Sequence, residues 1–180
     1  MPRIRLSVIG VVCLAVLAPS GPDAAWYGSG RFRAVDVRFE APGVTAVVQA
    51  YVGEGTQLIV DPDDPAQDYE IRFVCAQVYA PDGRDQHCGD GEVAIAWPLL
   101  EGARVEATIG SITIDLTITE RGSLRFGPLA ETGLPPFAHV GVSGFRPGIA
   151  SGTITSSVGD VSGDTTGVGL YELTSAYGTF

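Results

Sequence analysis

The sequence contains no lysine and no asparagine, and its only methionine is Met1. Without asparagine, the chain has no acceptor for N-linked glycans. The same absence leaves its hairpin turns to glycine and aspartate. Arginine as the basic residue, together with abundant alanine, glycine and proline, is typical of a GC-rich bacterial genome. This composition indicates a source and excludes little about function.

The N-terminal segment has the features of a secretory signal peptide. Two arginines precede Leu6–Ala18, a run of thirteen uncharged residues that ends in small side chains. Such a run is too short to span a bilayer, which needs roughly 20 residues. We expect residues 1–20 to be removed on export, with Ala25 as a second candidate cleavage site. Residues 21–180 should then form a single β domain, secreted to the extracellular or cell-envelope space.

Positive charge is scarce in the exported chain. Without residues 1–20 it keeps nine arginines against 21 acidic residues, a net charge of −12. Such a surface repels phosphate backbones and anionic lipids. The sequence also lacks a phosphate-binding loop and a dinucleotide fingerprint. We therefore expect no nucleic-acid partner, no membrane association after signal cleavage and no cofactor, and the partner is an unidentified extracellular ligand or protein.

Cysteine is also scarce, because Cys13 leaves with the signal peptide and only Cys75 and Cys88 remain. Two cysteines in an oxidising compartment are expected to pair. The bridge would close a loop of about 14 residues, worth on the order of 3 kcal/mol in the chain-entropy model.

The clearest local pattern is Ala103–Thr119, where apolar and polar residues alternate on both sides of Gly110-Ser111. This arrangement is typical of a β-hairpin with a type II′ turn. Pairing around that turn places four apolar pairs on one face, and it places Glu106 opposite Asp115 on the other. A slip of one residue would bury the charged face, so the register should be unique.

The rest of the chain reads as further short strands at spacings of 8–15 residues, with no segment of helical periodicity after the signal peptide. Turn residues punctuate these strands, and no linker or shift in composition divides the chain. We expect an all-β, antiparallel, two-layer β-sandwich of about ten strands. An up-and-down β-barrel is the alternative.

Four local expectations follow from the alternation of the strands and from the positions of glycines. Phe32 is out of phase with the strand that follows it, which predicts a bulge near Ala34. Glycines predict a turn at residues 53–55 and a flexible acidic loop at residues 158–167. In the strand Tyr69–Tyr79, the residues expected to face inward are Tyr69, Ile71, Phe73 and Cys75.

Glu106 and Asp115 form the most pointed candidate for chemistry. Directly opposed residues have Cβ atoms about 4.5–5.5 Å apart, and like charges at that distance are destabilising. Retaining glycosidases hold two carboxyl groups at about this separation. A cation site is a second interpretation, and a solvated surface pair offset by Arg104 is a third.

Side chains that could bind a metal ion lie close together in two further segments, and the first of these offers carboxylate oxygens. Calcium prefers such hard oxygens, although the EF-hand pattern is absent; the candidate ligands are Asp61, Asp63, Asp64 and Asp68. The second set lacks the spacing of a zinc site; its members are Asp85, His87, Asp90 and Glu92.

His87-Cys88 is similar to the histidine region of chymotrypsin-like serine proteases, in which a His-Cys step closes a disulfide. The similarity ends there, because Asp85-Gln86 precede the histidine where small residues are expected. The nearest serine candidate, Ser143 in Gly141–Phe145, matches neither common nucleophile motif. We do not infer a protease from this step.

These observations favour a secreted, non-enzymatic binding or structural β domain with an unknown ligand. The first alternative is a small extracellular hydrolase that uses Glu106 and Asp115. The second is a β-barrel carrier of a small apolar ligand.

Overall fold

The computed structural model describes residues 25–60, 67–96, 100–127, 130–132 and 137–179. Within these ranges the chain is all-β and antiparallel, with eleven strands and no helix. None of the described segments is a helix that could cross a membrane. The predicted signal peptide, residues 1–20, lies outside the described residues. The strands are β1 (Ala25–Ala41), β2 (Val44–Val60), β3 (Gln67–Ala80), β4 (Gly83–Gly89), β5 (Glu92–Ile95), β6 (Gly102–Ile109), β7 (Ile112–Glu120), β8 (Arg125–Phe126), β9 (Ala130–Thr132), β10 (Phe137–Thr155) and β11 (Val161–Thr179).

All eleven strands belong to one sheet. Nine of them follow the order β4-β3-β2-β1-β11-β10-β7-β6-β5, and β8 and β9 also pair with β10. Strands β9, β8 and β7 therefore succeed one another along one side of β10, at residues 139–141, 144–145 and 148–155. Only the shift between Gly148 and Ala150 interrupts the register between β10 and β11.

The sheet curls into a half-barrel, compatible with a sandwich or a barrel, so that its two ends lie over each other. Strand β5 lies against β1, β2 and β3, and β4 lies against β6 and β7. The enclosed inner face carries one continuous cluster of buried Val, Ile, Leu, Ala and Phe side chains. Burial of apolar surface at about 25 cal/mol per Å² makes this cluster the main source of stability. The all-β, antiparallel prediction is confirmed.

The predicted hairpin is confirmed residue by residue. Ile109 pairs with Ile112 and Glu106 with Asp115, and the four apolar positions of each strand lie on the inner face. Gly110 has a φ of +58°, the sign that the first turn position of a type II′ turn requires.

The disulfide prediction is also confirmed. Cys75 in β3 lies directly opposite Cys88 in β4, with 4.1 Å between the Cα atoms. The bridge fastens the seven-residue strand β4 to the sheet, although β4 contributes few apolar side chains of its own.

The expected facing of β3 is wrong. Val74, Ala76 and Val78 are buried on the inner face, whereas Ile71 and Phe73 are 36% and 37% exposed. Both faces of this segment carry apolar residues, so alternation alone does not choose between them. The disulfide decides, because Cys75 pairs with Cys88 outside the core.

The expected interruptions of β1, β2 and β11 are wrong as well. Strand β1 pairs with β2 from residue 25 to residue 41 without a register shift, so no bulge occurs near Ala34. Residues 53–55 continue β2, and residues 161–167 begin β11. Phe32 lies on the outer face, where its ring covers Gly53. Glycine here makes room for a neighbour instead of ending the strand.

Gly152 in β10 offers a test of the close pairing with β7. Its φ is +145°, and an added Cβ would collide with the carbonyl oxygen of Asp115. We expect Gly152→Ala to lower the free energy of unfolding by about 2 kcal/mol or more, through backbone strain and collision together. Chemical denaturation measures this change.

Gly163, which lies opposite Gly152 in β11, is the matched control. Its φ is +110°, but no atom lies within 4 Å of an added Cβ. Gly163→Ala should therefore show the cost of the backbone conformation alone. An equal loss in both variants would contradict the close approach at Gly152.

Candidate functional site

Glu106 and Asp115 are brought together as predicted, and Arg104 lies between them. The Arg104 guanidinium is 2.6 Å from Glu106 Oε1 and 2.6 Å from Asp115 Oδ1, and it donates to Thr117 Oγ1 at 2.9 Å. These two carboxylates raise the pKa of Arg104, mainly through the hydrogen bond to Glu106. All three charged side chains are exposed by 41% or more. The arrangement is that of an exposed ion-pair network in which one cation offsets two like charges.

Removal of Arg104 should expose the repulsion between its partners. We expect Arg104→Ala to lower the free energy of unfolding by a small but measurable amount, because exposed ion pairs are lost and two like charges are left opposite each other. Combining it with Asp115→Asn should recover part of the loss in thermal denaturation. A further loss in the double variant would contradict this interpretation.

The predicted calcium ligands are mostly outside the described residues, which omit Asp61, Asp63 and Asp64. The remaining one, Asp68, accepts a hydrogen bond from Thr56 Oγ1 at 2.6 Å. In the described part of the chain, no three His, Cys, Asp or Glu side chains are grouped as metal ligands. Of the second candidate set, the structure brings only Asp85 and His87 together, 3.0 Å apart.

Asp85 is the centre of a polar cluster that joins three hairpins. Its carboxylate accepts hydrogen bonds from Ser111 Oγ at 2.6 Å and from the backbone and hydroxyl of Ser157 at 3.1 and 2.6 Å. Ser111 lies in the β6–β7 turn and Ser157 in the β10–β11 turn, while Asp85 belongs to β4. The cluster therefore fastens one end of the sheet to the turns that lie over it.

This cluster contains an aspartate, a histidine and a serine, but not the relay of a serine protease. In such a relay the histidine bonds the acid through Nδ1 and the serine through Nε2. Here Nε2 of His87 faces both, at 3.0 Å from Asp85 Oδ1 and 3.1 Å from Ser111 Oγ. Ser111 also directs its own proton to Asp85. The geometry supports a structural role.

The buried Asp85 carboxylate should make stability depend on pH. Hydrogen bonds from Ser111 and Ser157 lower its pKa from 3.8 to about 2, against the opposing effect of burial. The contribution of the Asp85 carboxylate to the free energy of unfolding is present above about pH 4 and is lost as the pH falls towards 2. We expect Asp85→Asn to lower the Tm above pH 4 and to differ progressively less from the native chain below it.

Thermal denaturation between pH 2 and pH 7 measures this difference. Gly163→Ala, a change that removes no titratable group, is the control and should show no such convergence. A difference between Asp85→Asn and the native chain that stays constant with pH would contradict the assignment.

The inner face changes from apolar to charged at one level of the sheet. Val35 and Leu170 are buried neighbours in the core, and the next inward residues on the same two strands are Arg33 and Glu172. On β3 the change occurs at the same level, with Arg72, whereas on β2 it comes one inward residue later, after the buried Val52. We call this group the charged band: Arg31, Arg33, Glu54, Glu70, Arg72 and Glu172.

Arg33 is held firmly within this band and is only 13% exposed. It donates from Nη1 to the carbonyl oxygen of Ile95 at 2.8 Å and lies 3.3 Å from Glu54 Oε1 through Nη2. Its Nε is buried and has no acceptor among the described residues. A buried donor without a partner is costly, so the other contacts of Arg33 must offset this cost.

Apolar side chains share this face with the charged band. In register, Arg33 pairs with Glu172, Glu172 with Gly144, and Gly144 with Phe126. Phe126 is 68% exposed, and Val142, two residues before Gly144, is 40% exposed. Three strand spacings separate Arg33 from Phe126, which is roughly 14 Å. This end of the inner face, which we call the open end, is therefore amphipathic.

The outer face carries a separate half-buried carboxylate, Asp36. It lies opposite Gln49 and Gly169, and the ring of Tyr171 covers Gly169. Burial raises the pKa of Asp36, and a hydrogen bond from Gln49 opposes that rise. Beside it is a depression of about 540 Å³, which contains Gln49 and Tyr79. No described cation forms an ion pair with Asp36.

No known protein-family model and no curated protein matches this sequence. A crystal structure from Nitrosomonas europaea, provisionally named AttH, is similar with 13% sequence identity and a TM-score of 0.43. The alignment covers 87% of this chain and 51% of the other, so the chain spans about half the length of that structure. Likeness at this level carries no inference about function.

Sequence reasoning missed the charged band altogether. Its residues come from the consecutive strands β1, β2 and β3 and from β11, which is distant in the chain and lies beside β1 only in the folded sheet. One signal was present in the sequence: Phe32 points to the opposite face of its strand from Val35, and Phe73 to the opposite face from Val74. Such a change of face by the apolar residues of β1 and β3, at matching levels on the two sides of β2, marks the place where the core ends and the band begins.

Proposed function

We propose that this protein is a secreted, non-enzymatic binding domain that holds a small amphipathic molecule at the open end of the half-barrel. The polar head of the ligand faces the charged band. Its apolar body lies against Phe126 and Val142.

The observation that carries this proposal is the row Arg33, Glu172, Gly144 and Phe126, which puts charge and exposed apolar surface on one face. Ligand sites commonly combine an apolar wall with a few placed polar groups. Gly144 joins the two ends of the row, because Glu172 and Phe126 both come within 3.8 Å of the position of its absent Cβ.

Secretion is supported by three independent features. The Cys75–Cys88 bridge is typical of an oxidising compartment. The N-terminal residues match a signal peptide in sequence. A strongly acidic chain is suited to solubility outside the cell.

The hydrolase alternative gains no support from the hairpin. Arg104 contacts both Glu106 and Asp115 at 2.6 Å, so both carboxylates are already engaged in ion pairs with the same side chain. They also lie on an exposed surface, where no described cleft would hold a substrate against them.

A fluorescence titration with dansyl-labelled undecanoic acid tests the proposed site. We expect the native chain to bind this probe and Phe126→Ala to weaken binding by about fivefold or more, because an exposed aromatic contact is lost. Tyr79→Ala, on the outer face, is the control and should leave the affinity unchanged. No binding to the native chain, or equal binding to Phe126→Ala, would overturn the proposal.

A further inference from the structure

Two arginines of the charged band converge on one carboxylate oxygen. Arg31 and Arg33 are two residues apart in β1, so their side chains share the inner face. Each lies 3.3 Å from Oε1 of Glu54, through Nη1 of Arg31 and Nη2 of Arg33. The pair is therefore already arranged around an anionic oxygen.

The partners of this contact differ in how firmly they are held. Arg33 is 13% exposed and is anchored to the backbone of Ile95, and Arg31 also contacts the buried Glu172 at 3.6 Å. Glu54 is 45% exposed, and the contacts found for its carboxylate are those with the two arginines. The cationic side of the contact is thus fixed, while the anionic side lies towards solvent and can move.

We infer that Glu54 is an internal stand-in for the ligand's head group, and that the ligand is an amphipathic carboxylic acid whose carboxylate displaces Glu54 from Arg31 and Arg33. This inference rests on the proposed function and specifies the chemical class of the ligand. Arginine binds carboxylates through its planar array of N–H donors. The incoming carboxylate would take the place of Glu54 at Nη1 of Arg31 and Nη2 of Arg33.

Exchange of one carboxylate for another leaves the charge of the site unchanged. In the structure, Glu54 offsets positive charge of the two arginines beside the apolar core. Displacement returns Glu54 to water at little cost, because it is already half exposed. The apolar body of the ligand then supplies the net gain, through contact with Phe126 and Val142. Small acids without such a body should bind poorly.

Affinity for the acid should therefore be limited by competition from Glu54. We expect Glu54→Gln to raise the affinity for dansyl-labelled undecanoic acid by about tenfold, because a neutral amide competes less for the arginines. The affinity for the primary amide of the same probe should stay unchanged. Arg33→Met should lower the affinity for the acid by about tenfold or more.

Glu70→Gln is the matched control. Glu70 belongs to the same band, but it pairs with Arg72 at 2.7 Å and not with Arg33. Its variant should bind the acid as the native chain does. Thermal denaturation checks that each variant is folded. If Arg33→Met does not fold, Glu54→Gln still tests the inference, because Glu54 is exposed and its replacement should not unfold the chain.

The titrations separate failure of the inference from failure of the proposed function. If the native chain binds acid and amide equally well, and Glu54→Gln changes neither affinity, the role of Glu54 is overturned while the binding site stands. If neither probe binds to the native chain, both proposals fail. Tighter binding of the acid alone to Glu54→Gln supports both.

Discussion

The register of antiparallel pairing is the constraint on which the rest of the structure depends. Side chains alternate between the two faces of a strand, so residues paired across several strands form rows on a single face. The row from Val74 to Leu170 is apolar throughout, and the row beside it contains Arg72, Arg33 and Glu172. A slip of one residue in β1 would turn Val35 outward, and core and charged band would be lost together.

The parts of the fold that could be predicted from sequence are those set by local pattern. The hairpin from Ala103 to Thr119 has its turn, alternation and pairing within one short segment, so its register follows from the sequence alone. The disulfide could be predicted because only two cysteines remain after the signal peptide. The facing of β3 could not be predicted, because apolar residues occur on both of its faces. The length of β11 could not be predicted either, because glycine occurs within strands as well as in turns.

The candidate sites also differ in whether a local sequence pattern sets them. Glu106 and Asp115 face each other because they belong to one hairpin, and Arg104 could be named as their partner for the same reason. Arg33 and Glu54 lie in adjacent strands, but their contact gains meaning only from Glu172 and Phe126, which lie more than seventy residues along the chain. Such a row follows from the topology of the whole sheet, and no local pattern in the sequence predicts it.

The open form of the half-barrel also has a consequence for self-association. A curled sheet that does not close has two edges, whose free backbone groups can pair with another chain. Among the described residues, those edges are β4, with seven residues, β5, with four, and residues 67–73 of β3, which β4 does not pair. The disulfide fastens β4 to its neighbour, and β9, β8 and β7 together cover one side of the long strand β10. The two longest strands, β10 and β11, thus have partners on both sides, and each of the three edge segments is short.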